Sequence, residues 1–407
     1  MKILLSAFGC EPNRGSDTEV GWQWAVNLAR EGHKVWVITR PKHRPFIEEE
    51  LARLGDSSLD GLSFIYLDAD WFVNITNKIK GRIYVYYYLW QWLAYRYVKK
   101  LHKEILFDLV HHVTWVSVRQ PSFMGGLGIP FVFGPVAGGE VAPFKLRKGY
   151  SARQWRQDLL RDLVNFIVRI DPFMRYTFST ANKIFVTSVG TRNLVPKRYR
   201  EKVKIRMAIG MSVKSDSPQV VKGNQTVSTI APKILYVGRF VGWKGMHIGL
   251  RAFKKLKSKI PRASLTMVGK GPDERQLRKL ADNLDIGDSI DWKSWMAQEE
   301  LGAVYSSHDL FLFPSLHDSG GLVLLEAMQC GIPVVCLNLG GPGEIVDNSS
   351  GLSVDVFGKD IDSVANDLAE GIHNIVTQPD YYTKLSDGAK NRVSAFEWKS
   401  LVNDVYS

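Results

Sequence analysis

Residues 309–337 read DLFLFPSLHDSGGLVLLEAMQCGIPVVCL, and this stretch contains the pattern that decides the fold. The apolar run that ends near Ser315 predicts a buried strand, and the run IPVVCL predicts a second one. Between them, Gly320 and Gly321 predict a turn, and LVLLEAMQC predicts a helix that ends at Gly331. A strand, a helix and another strand in this order are typical of a parallel sheet with crossover helices.

The same alternation extends through both halves of the chain. In the first half the strand candidates are KILLSA, KVWVIT, LSFIYL, DLVHHV, PFVFG and KIFVTS, and in the second half they are KILYVG, SLTMVG, DLFLFP and IPVVCL. Residues 212–232 are polar and lack an apolar period, which predicts a linker. The sequence therefore predicts an α/β protein with two Rossmann-like doubly wound domains, residues 1–211 and residues 233–390.

Composition limits the classes of partner and the compartment. The chain has 407 residues, enough for two domains, and Lys and Arg exceed Asp and Glu by 12. This charge favours an anionic partner, but no nucleic-acid-reading signature is visible, so nucleic acid is not expected. Cys10, Cys330 and Cys336 show no metal-binding spacing, which fits a reduced cytoplasmic compartment. No apolar run is long enough to span a membrane.

Two carboxylates flank the predicted turn. Asp318 precedes it, and Glu326 lies four residues after Leu322, one helical turn further along the same face. A helix start presents bare N–H groups that bind phosphate, and carboxylates accept hydrogen bonds from sugar hydroxyls. A nucleotide-sugar has both parts, although two acids at this spacing are often only solvated side chains.

A second glycine-rich loop lies in LYVGRFVGWKGMHIGLRAF, where Arg239 and Lys244 bracket the loop between a strand and a helix. Two cations fixed in this way hold a diphosphate and stabilise the negative charge of a departing nucleotide. The alternative is a basic surface turn.

Together these stretches resemble the retaining glycosyltransferases of family four, which have the GT-B fold. The matching motifs are Gly238-Arg239 to Lys244-Gly245, GKGPDERQL, LFPS, the acid pair, LLEAMQCGIPVV and GGPGEIVDNSSG, which cover nearly all of residues 233–355. The resemblance implies two domains with a cleft between them and a C-terminal helix, residues 391–407, that packs back on the first domain. It implies that the nucleotide-sugar is the substrate and that neither a metal nor a cofactor is needed.

The resemblance also implies roles for the second-domain residues. Arg239 and Lys244 would hold the diphosphate with Gly320, Gly321 and Leu322 at the helix start. Glu326 would hold the ribose hydroxyls. Asp318 would face the donor sugar, and because the family usually has Glu there, the shorter side chain puts the preferred sugar in doubt.

The first domain resembles the family more loosely. Gly15 and Ser16 follow the first strand and would approach the donor, and Gly138, Gly139 and Glu140 form a later glycine-rich turn that could face the acceptor. The family has a histidine after a D-x-x-H-x-H strand, whereas this chain has DLVHHVT. We assign the catalytic role to His112, with His111 as its rival.

The predicted function is that of a retaining glycosyltransferase that moves a sugar from a nucleotide-diphosphate sugar to a glycan or lipid-linked acceptor, as in bacterial-type polysaccharide or glycolipid biosynthesis. A sugar-nucleotide epimerase on the same fold and a non-catalytic carbohydrate-binding relative are the alternatives. The triplet Asp68-Ala69-Asp70 resembles the metal-binding motif of GT-A enzymes, but the two-half pattern disfavours that fold. No G-x-G-x-x-G follows a strand, which disfavours a dinucleotide-dependent oxidoreductase.

Two segments suit an anionic membrane surface. Residues 82–104 are aromatic and end in lysines, and residues 145–176 mix basic and apolar side chains. Peripheral binding at the inner face of the membrane is one interpretation, and core helices with solvated basic faces are the other.

Overall fold

The computed structural model describes residues 1–14, 16–69, 82–211 and 227–406. It contains two compact units. Unit 1 comprises Met1–Gly139, Leu163–Gly210 and Trp398–Ser407, and unit 2 comprises Glu140–Asp162 and Met211–Glu397.

Unit 1 is built on a parallel sheet whose inner strands are mostly buried, as their continuous apolar runs require. In its described part the strands are β1 Lys2–Ala7, β2 Lys34–Thr39, β3 Leu62–Tyr66, β4 Leu109–Thr114, β5 Phe131–Val136, β6 Lys183–Val186 and β7 Val203–Ile205. Their spatial order is β3-β2-β1-β4-β5-β6-β7, so the direction of winding reverses between β1 and β4.

Helices cover both faces of this sheet. They are α1 Ser16–Arg30, α2 Arg44–Leu54, α3 Arg82–Ile105, α4 Ala152–Val168, α5 Pro172–Thr180, α6 Val189–Leu194 and, later in the chain, α14 Trp398–Tyr406. One core contains Tyr87 and Trp90 of α3, and the core on the other face contains Trp24 of α1 and Trp398 of α14. Helix α4 starts in the part of the chain assigned to unit 2.

Unit 2 has a second parallel sheet. Its described strands are β8 Lys233–Val237, β9 Ser264–Val268, β10 Ile290–Lys293, β11 Leu310–Phe313, β12 Val334–Leu337 and β13 Gly351–Val354. Its helices are α7 Met246–Lys259, α8 Glu274–Asn283, α9 Gln298–Ser306, α10 Leu322–Gln329, α11 Gly340–Ile345, α12 Ile361–Thr377 and α13 Pro379–Val393. The strand order β10-β9-β8-β11-β12-β13 reverses between β8 and β11.

The two doubly wound sheets confirm the predicted fold class. The division of the chain differs from the predicted one. Residues 140–162 belong to unit 2 although they precede the predicted linker. The C-terminal segment that belongs to unit 1 is α14, whereas residues 391–397 belong to unit 2. Most of the predicted linker, residues 212–226, lies outside the described residues, as does Asp70.

None of the helices in the described part of the chain has both the length and the apolar character needed to cross a membrane.

Candidate functional site

The site in unit 2 lies where the winding of its sheet reverses. Strands β8 and β11 are neighbours in parallel register, with Ile234 opposite Leu310 and Leu235 opposite Phe311. In open parallel sheets, ligands bind in the crevice beyond the carboxyl ends of the strands at such a reversal. The loops that leave these two strands, residues 238–245 and 314–321, are the two glycine-containing loops singled out in the sequence.

Backbone contacts lock the two loops together. Leu316 N donates a 2.8 Å hydrogen bond to Trp243 O, and Ser315 Oγ donates to the same oxygen at 3.2 Å. Gly245 has φ +71°, and a Cβ there would lie 1.9 Å from Pro314 O. Only glycine accommodates both the left-handed backbone and this close approach, so the loops are held in one arrangement.

An ion pair joins the same two loops through their side chains. Lys244 Nζ donates to Asp318 Oδ2, and the two side chains are only 13% and 17% exposed. The ammonium also lies 4.7 Å from the ring centres of both Trp243 and Phe313. An ammonium has three N–H donors, so the pair with Asp318 leaves Lys244 able to bind a further anion from a fixed position.

Arg239 supplies a second cation at the start of the first loop. Its backbone oxygen accepts a 3.0 Å hydrogen bond from Tyr236 Oη, which anchors the chain beneath an exposed side chain. Burial, and then the nearby charge of Asp318, raises the pKa of Tyr236 well above its usual value, so this hydroxyl stays a donor.

The second acid lies one turn into α10. This helix begins at Leu322, directly after Gly321, an N-cap residue that has no side chain to cap the first N–H groups. Glu326 Oε2 accepts a 2.9 Å hydrogen bond from Tyr305 Oη, which fixes the orientation of the carboxylate. Burial and the charge of Glu326 together raise the pKa of Tyr305, so this phenol is a permanent donor to the carboxylate.

A third loop closes around Asp318. Gly341 N donates a 2.8 Å hydrogen bond to Asp318 O, and a Cβ on Gly340 would lie 2.1 Å from that oxygen and 3.1 Å from Glu140 Cγ. Glu140 was expected on the acceptor side of the first domain, but it lies in unit 2, where it is 2% exposed and pairs with Arg161 at 3.4 Å.

In unit 1, the two histidines of β4 have different environments. The ring nitrogens of His111 contact Tyr406 Oη (2.7 Å) and Gly134 O, and the ring is fully buried. His112 is also fully buried, with Nε2 3.4 Å from Tyr87 Oη, but its Nδ1 has no hydrogen-bond partner among the described residues. His111 is therefore held at both ring nitrogens by the contacts named above, whereas Tyr87 contacts only one ring nitrogen of His112.

Burial keeps both rings neutral. It lowers the pKa of His111 to about 4, and burial together with the charge of His111 lowers the pKa of His112 to about 3. Neither imidazole is a cation near neutral pH.

The remaining predicted residues of unit 1 have backbone roles. Gly138 has φ +114°, and its oxygen accepts a hydrogen bond from Arg119. Gly139 N donates to Thr191 Oγ1 at 3.1 Å. Ser16 is the first residue of α1, and Gly15 lies outside the described residues.

Several side chains of the unit 2 site were not predicted from the sequence. Tyr305 and Arg161 are distant in the chain from the residues they contact, so no local signal identifies them. Trp243 and Phe313, in contrast, each lie next to a predicted motif, and an aromatic residue beside a fixed lysine could have been noticed. In the portion of the chain that the structure describes, no group of three or more His, Cys, Asp or Glu side chains could hold a metal ion.

Comparison with solved structures identifies the class of fold. The sucrose-phosphate synthase of Thermosynechococcus elongatus superimposes with a TM-score of 0.59 over 99% of this chain and 96% of that one, at 20% sequence identity. Two Rossmann-like parallel sheets of this kind define the GT-B fold, as predicted.

Sequence comparison finds a family match in the second half of the chain. Residues 224–392 match the model of the family described as "Glycosyl transferases group 1". The matched segment contains both loops of the site and Glu326.

Two curated relatives each match less than half of the chain. A D-inositol 3-phosphate glycosyltransferase of Corynebacterium jeikeium is 34% identical over 173 residues, 40% of this chain and 40% of that protein. A GDP-mannose-dependent alpha-(1-6)-phosphatidylinositol monomannoside mannosyltransferase of Mycobacterium tuberculosis is 33% identical over 147 residues, 34% of this chain and 38% of that protein. The matches thus span well under half the length of these relatives.

We predict that Gly245→Ala destabilises unit 2 by about 1–3 kcal/mol, because the methyl group strains a left-handed residue and meets Pro314 O. Urea unfolding monitored by fluorescence measures the change. Gly302→Ala is the matched control, since nothing lies within 4 Å of a Cβ at that helical position. The control should be neutral or stabilise by up to about 1 kcal/mol. Equal effects of the two substitutions would contradict the proposed locking of the loops.

The depressed histidine pKa values predict acid sensitivity of unit 1. A neutral buried imidazole contributes stability that is complete above pH 6.5 and is lost as the pH falls towards 4, because the unfolded chain binds the proton first. The free energy of unfolding should therefore fall between pH 7 and pH 5, by at most about 1.4 kcal/mol per pH unit for each histidine. In His111→Phe this fall should be smaller, even though the variant is less stable at pH 7. If the free energy of unfolding of the variant fell by as much as that of the wild type, His111 would not be a source of the acid sensitivity.

Proposed function

We propose that the protein is a retaining glycosyltransferase that moves a sugar from a nucleotide-diphosphate sugar to a glycan or lipid-linked acceptor. The observation that carries the proposal is the Lys244–Asp318 ion pair at the sheet reversal, within the segment that matches the group 1 glycosyl transferase model. The pair holds a cation and a carboxylate side by side, which suits a substrate whose diphosphate is joined directly to a sugar.

The positively charged groups of unit 2 would bind the leaving group. Lys244, Arg239 and the uncapped N–H groups at the start of α10 are assigned to the diphosphate. Glu326, oriented by Tyr305, is assigned to the ribose hydroxyls, because a carboxylate accepts hydrogen bonds from a diol. Since these groups supply the positive charge, the proposal includes neither a metal nor a cofactor.

The chemistry follows from this assignment. The bond between the anomeric carbon and the diphosphate oxygen breaks, and the electron pair leaves with the nucleoside diphosphate. The acceptor oxygen then bonds to the anomeric carbon on the same face, and its proton passes to the departing phosphate oxygen. Asp318 and the neutral imidazole of His112 are assigned to the transferred sugar, where a carboxylate stabilises developing positive charge on the ring.

The acceptor is assigned to unit 1, with Gly138 and Gly139 as candidate contacts and His111 as the rival of His112. A lipid-linked acceptor is supported by the phosphatidylinositol monomannoside named in one relative. The odd number of cysteines and the absence of a C-x-x-C spacing support a reducing, cytoplasmic setting, and we place the protein at the inner face of the membrane.

A screen of nucleotide-sugars by thermal stabilisation and release of nucleoside diphosphate tests the proposal. One donor should raise the melting temperature and release its nucleotide when a glycan or lipid-linked sugar is added. Lys244→Ala and Glu326→Ala should each lower kcat/KM by about 10²–10³-fold, since each removes a fixed contact to the leaving group.

Lys384→Ala is the matched control, because Lys384 is an exposed lysine on α13, outside the site. Wild-type turnover in both site variants would refute the site assignment. A donor that is converted to another nucleotide-sugar without transfer would indicate an epimerase, and binding without turnover would indicate a non-catalytic relative.

A further inference from the structure

Helix α4 has the opposite amphipathic arrangement to that of a core helix. Its buried residues are Gln154, Asp158, Asn165 and Val168, three of them polar. Its three leucines, Phe166 and Ile167 instead face solvent, where an amphipathic helix normally places its polar residues. The sequence suggested a core helix with a solvated basic face as one interpretation of this segment, and the exposed leucines exclude it.

The exposed apolar side chains form a continuous surface. Those of residues 159–173 are between 44% and 62% exposed: Leu159, Leu160, Leu163, Phe166, Ile167, Ile170 and Phe173. We call these seven side chains the apolar face. Residues 159, 163, 166 and 167 follow helical spacing along one side of α4. Contiguous apolar surface of this kind on a soluble chain marks an interaction site.

Aromatic residues of α3 continue this surface within unit 1. Phe173 packs against Tyr88 with ring centres 5.8 Å apart. One helical turn further along α3, Trp92 is 43% exposed, and Arg96 stacks over its ring at 4.7 Å. Tryptophan and arginine in this combination suit the boundary between lipid headgroups and acyl chains.

The charges around the apolar face identify what covers it. Within residues 145–176, every charged side chain classed as exposed is basic: Lys145, Lys148, Arg153, Arg156, Arg169 and Arg175. The acids of the same segment point inward or cap helices. Asp158 accepts from Gln154, Asp162 pairs with Arg147 at 2.8 Å, and Asp171 accepts from the first N–H groups of α5.

We propose that the apolar face and its basic flank dock the protein on an anionic phospholipid bilayer, with the apolar face in the headgroup region. A second protein would be expected to meet charges of both signs around such a face, whereas an anionic lipid surface requires one sign only. This inference deepens the proposed function, because it specifies how the enzyme would reach a lipid-linked acceptor, but it is tested without turnover.

Cosedimentation of the full chain with vesicles measures the docking. The protein should bind vesicles that contain phosphatidylglycerol more strongly than vesicles of phosphatidylcholine alone, and binding should weaken between about 0.05 M and about 0.5 M salt. The double variant Phe166→Ser with Ile167→Ser should reduce the partition coefficient about tenfold or more, since both side chains lose their burial in lipid. Arg153→Gln with Arg156→Gln should abolish most of the preference for the anionic lipid.

Matched controls exclude general effects of surface mutation. Trp295→Ser with Phe357→Ser removes two side chains that are 70% and 91% exposed elsewhere, and it should leave vesicle binding unchanged. The double variant Lys197→Gln with Arg198→Gln removes two exposed cations elsewhere on the chain, and it should also leave vesicle binding unchanged. All four variants should keep the wild-type melting temperature, because none of the altered side chains is buried.

Three results would overturn the proposal. The first is wild-type protein that stays in the supernatant with anionic vesicles at low salt, and the second is a Phe166/Ile167 variant that binds as the wild type does. The third is a dimer in sedimentation velocity that this double variant dissociates, which would assign the apolar face to a second copy of the chain. Vesicle binding by a protein that turns over no donor would refute the proposed function while supporting the docking surface.

Discussion

The ion pair between Lys244 and Asp318 is the interaction on which the organisation of unit 2 depends. It joins the loops that leave β8 and β11, the two strands between which the winding of the sheet reverses. A lysine and an aspartate this well shielded from water stabilise each other, and removal of either leaves an uncompensated charge. The backbone contacts of Trp243 and Gly245 hold the pair in place, so the charges are arranged before a ligand arrives.

This prior arrangement suits the proposed catalysis. A cation that is already fixed between two aromatic rings needs little reorganisation when negative charge develops on a departing diphosphate. The same argument applies to Glu326, which Tyr305 holds in one orientation. For Glu326, the residue assigned to the ligand was visible in the sequence, whereas Tyr305, which positions it, was not.

Much of the fold could be predicted from the sequence, because parallel strands that are buried on both faces are written as continuous apolar runs. The strands that were not predicted, β7, β10 and β13, are short and lie at or near the edges of their sheets, as in Val203–Ile205. The place of residues 140–162 in unit 2 was also not predictable. It depends on tertiary contacts such as that of His247 with Leu146 O at 3.1 Å, which leave no local pattern.

Helix α4 shows most clearly what the sequence pattern does not predict. Its periodicity correctly predicts an amphipathic helix. Periodicity alone does not show whether the apolar face packs against the protein core or, as proposed, against a lipid bilayer. On the buried face, Asn165 Oδ1 accepts a 2.8 Å hydrogen bond from Arg119 Nε, and this contact joins residues that are distant in the chain. The exposed leucines are not covered by any other part of the described structure.

The most direct test of the central claim is a crystal structure of the protein with a nucleoside diphosphate bound. Phosphate oxygens should lie within hydrogen-bond distance of Lys244 Nζ and of the N–H groups at the start of α10, with Glu326 against the ribose. A nucleotide bound elsewhere on the chain, with Lys244 and Asp318 still paired and remote from it, would contradict the claim.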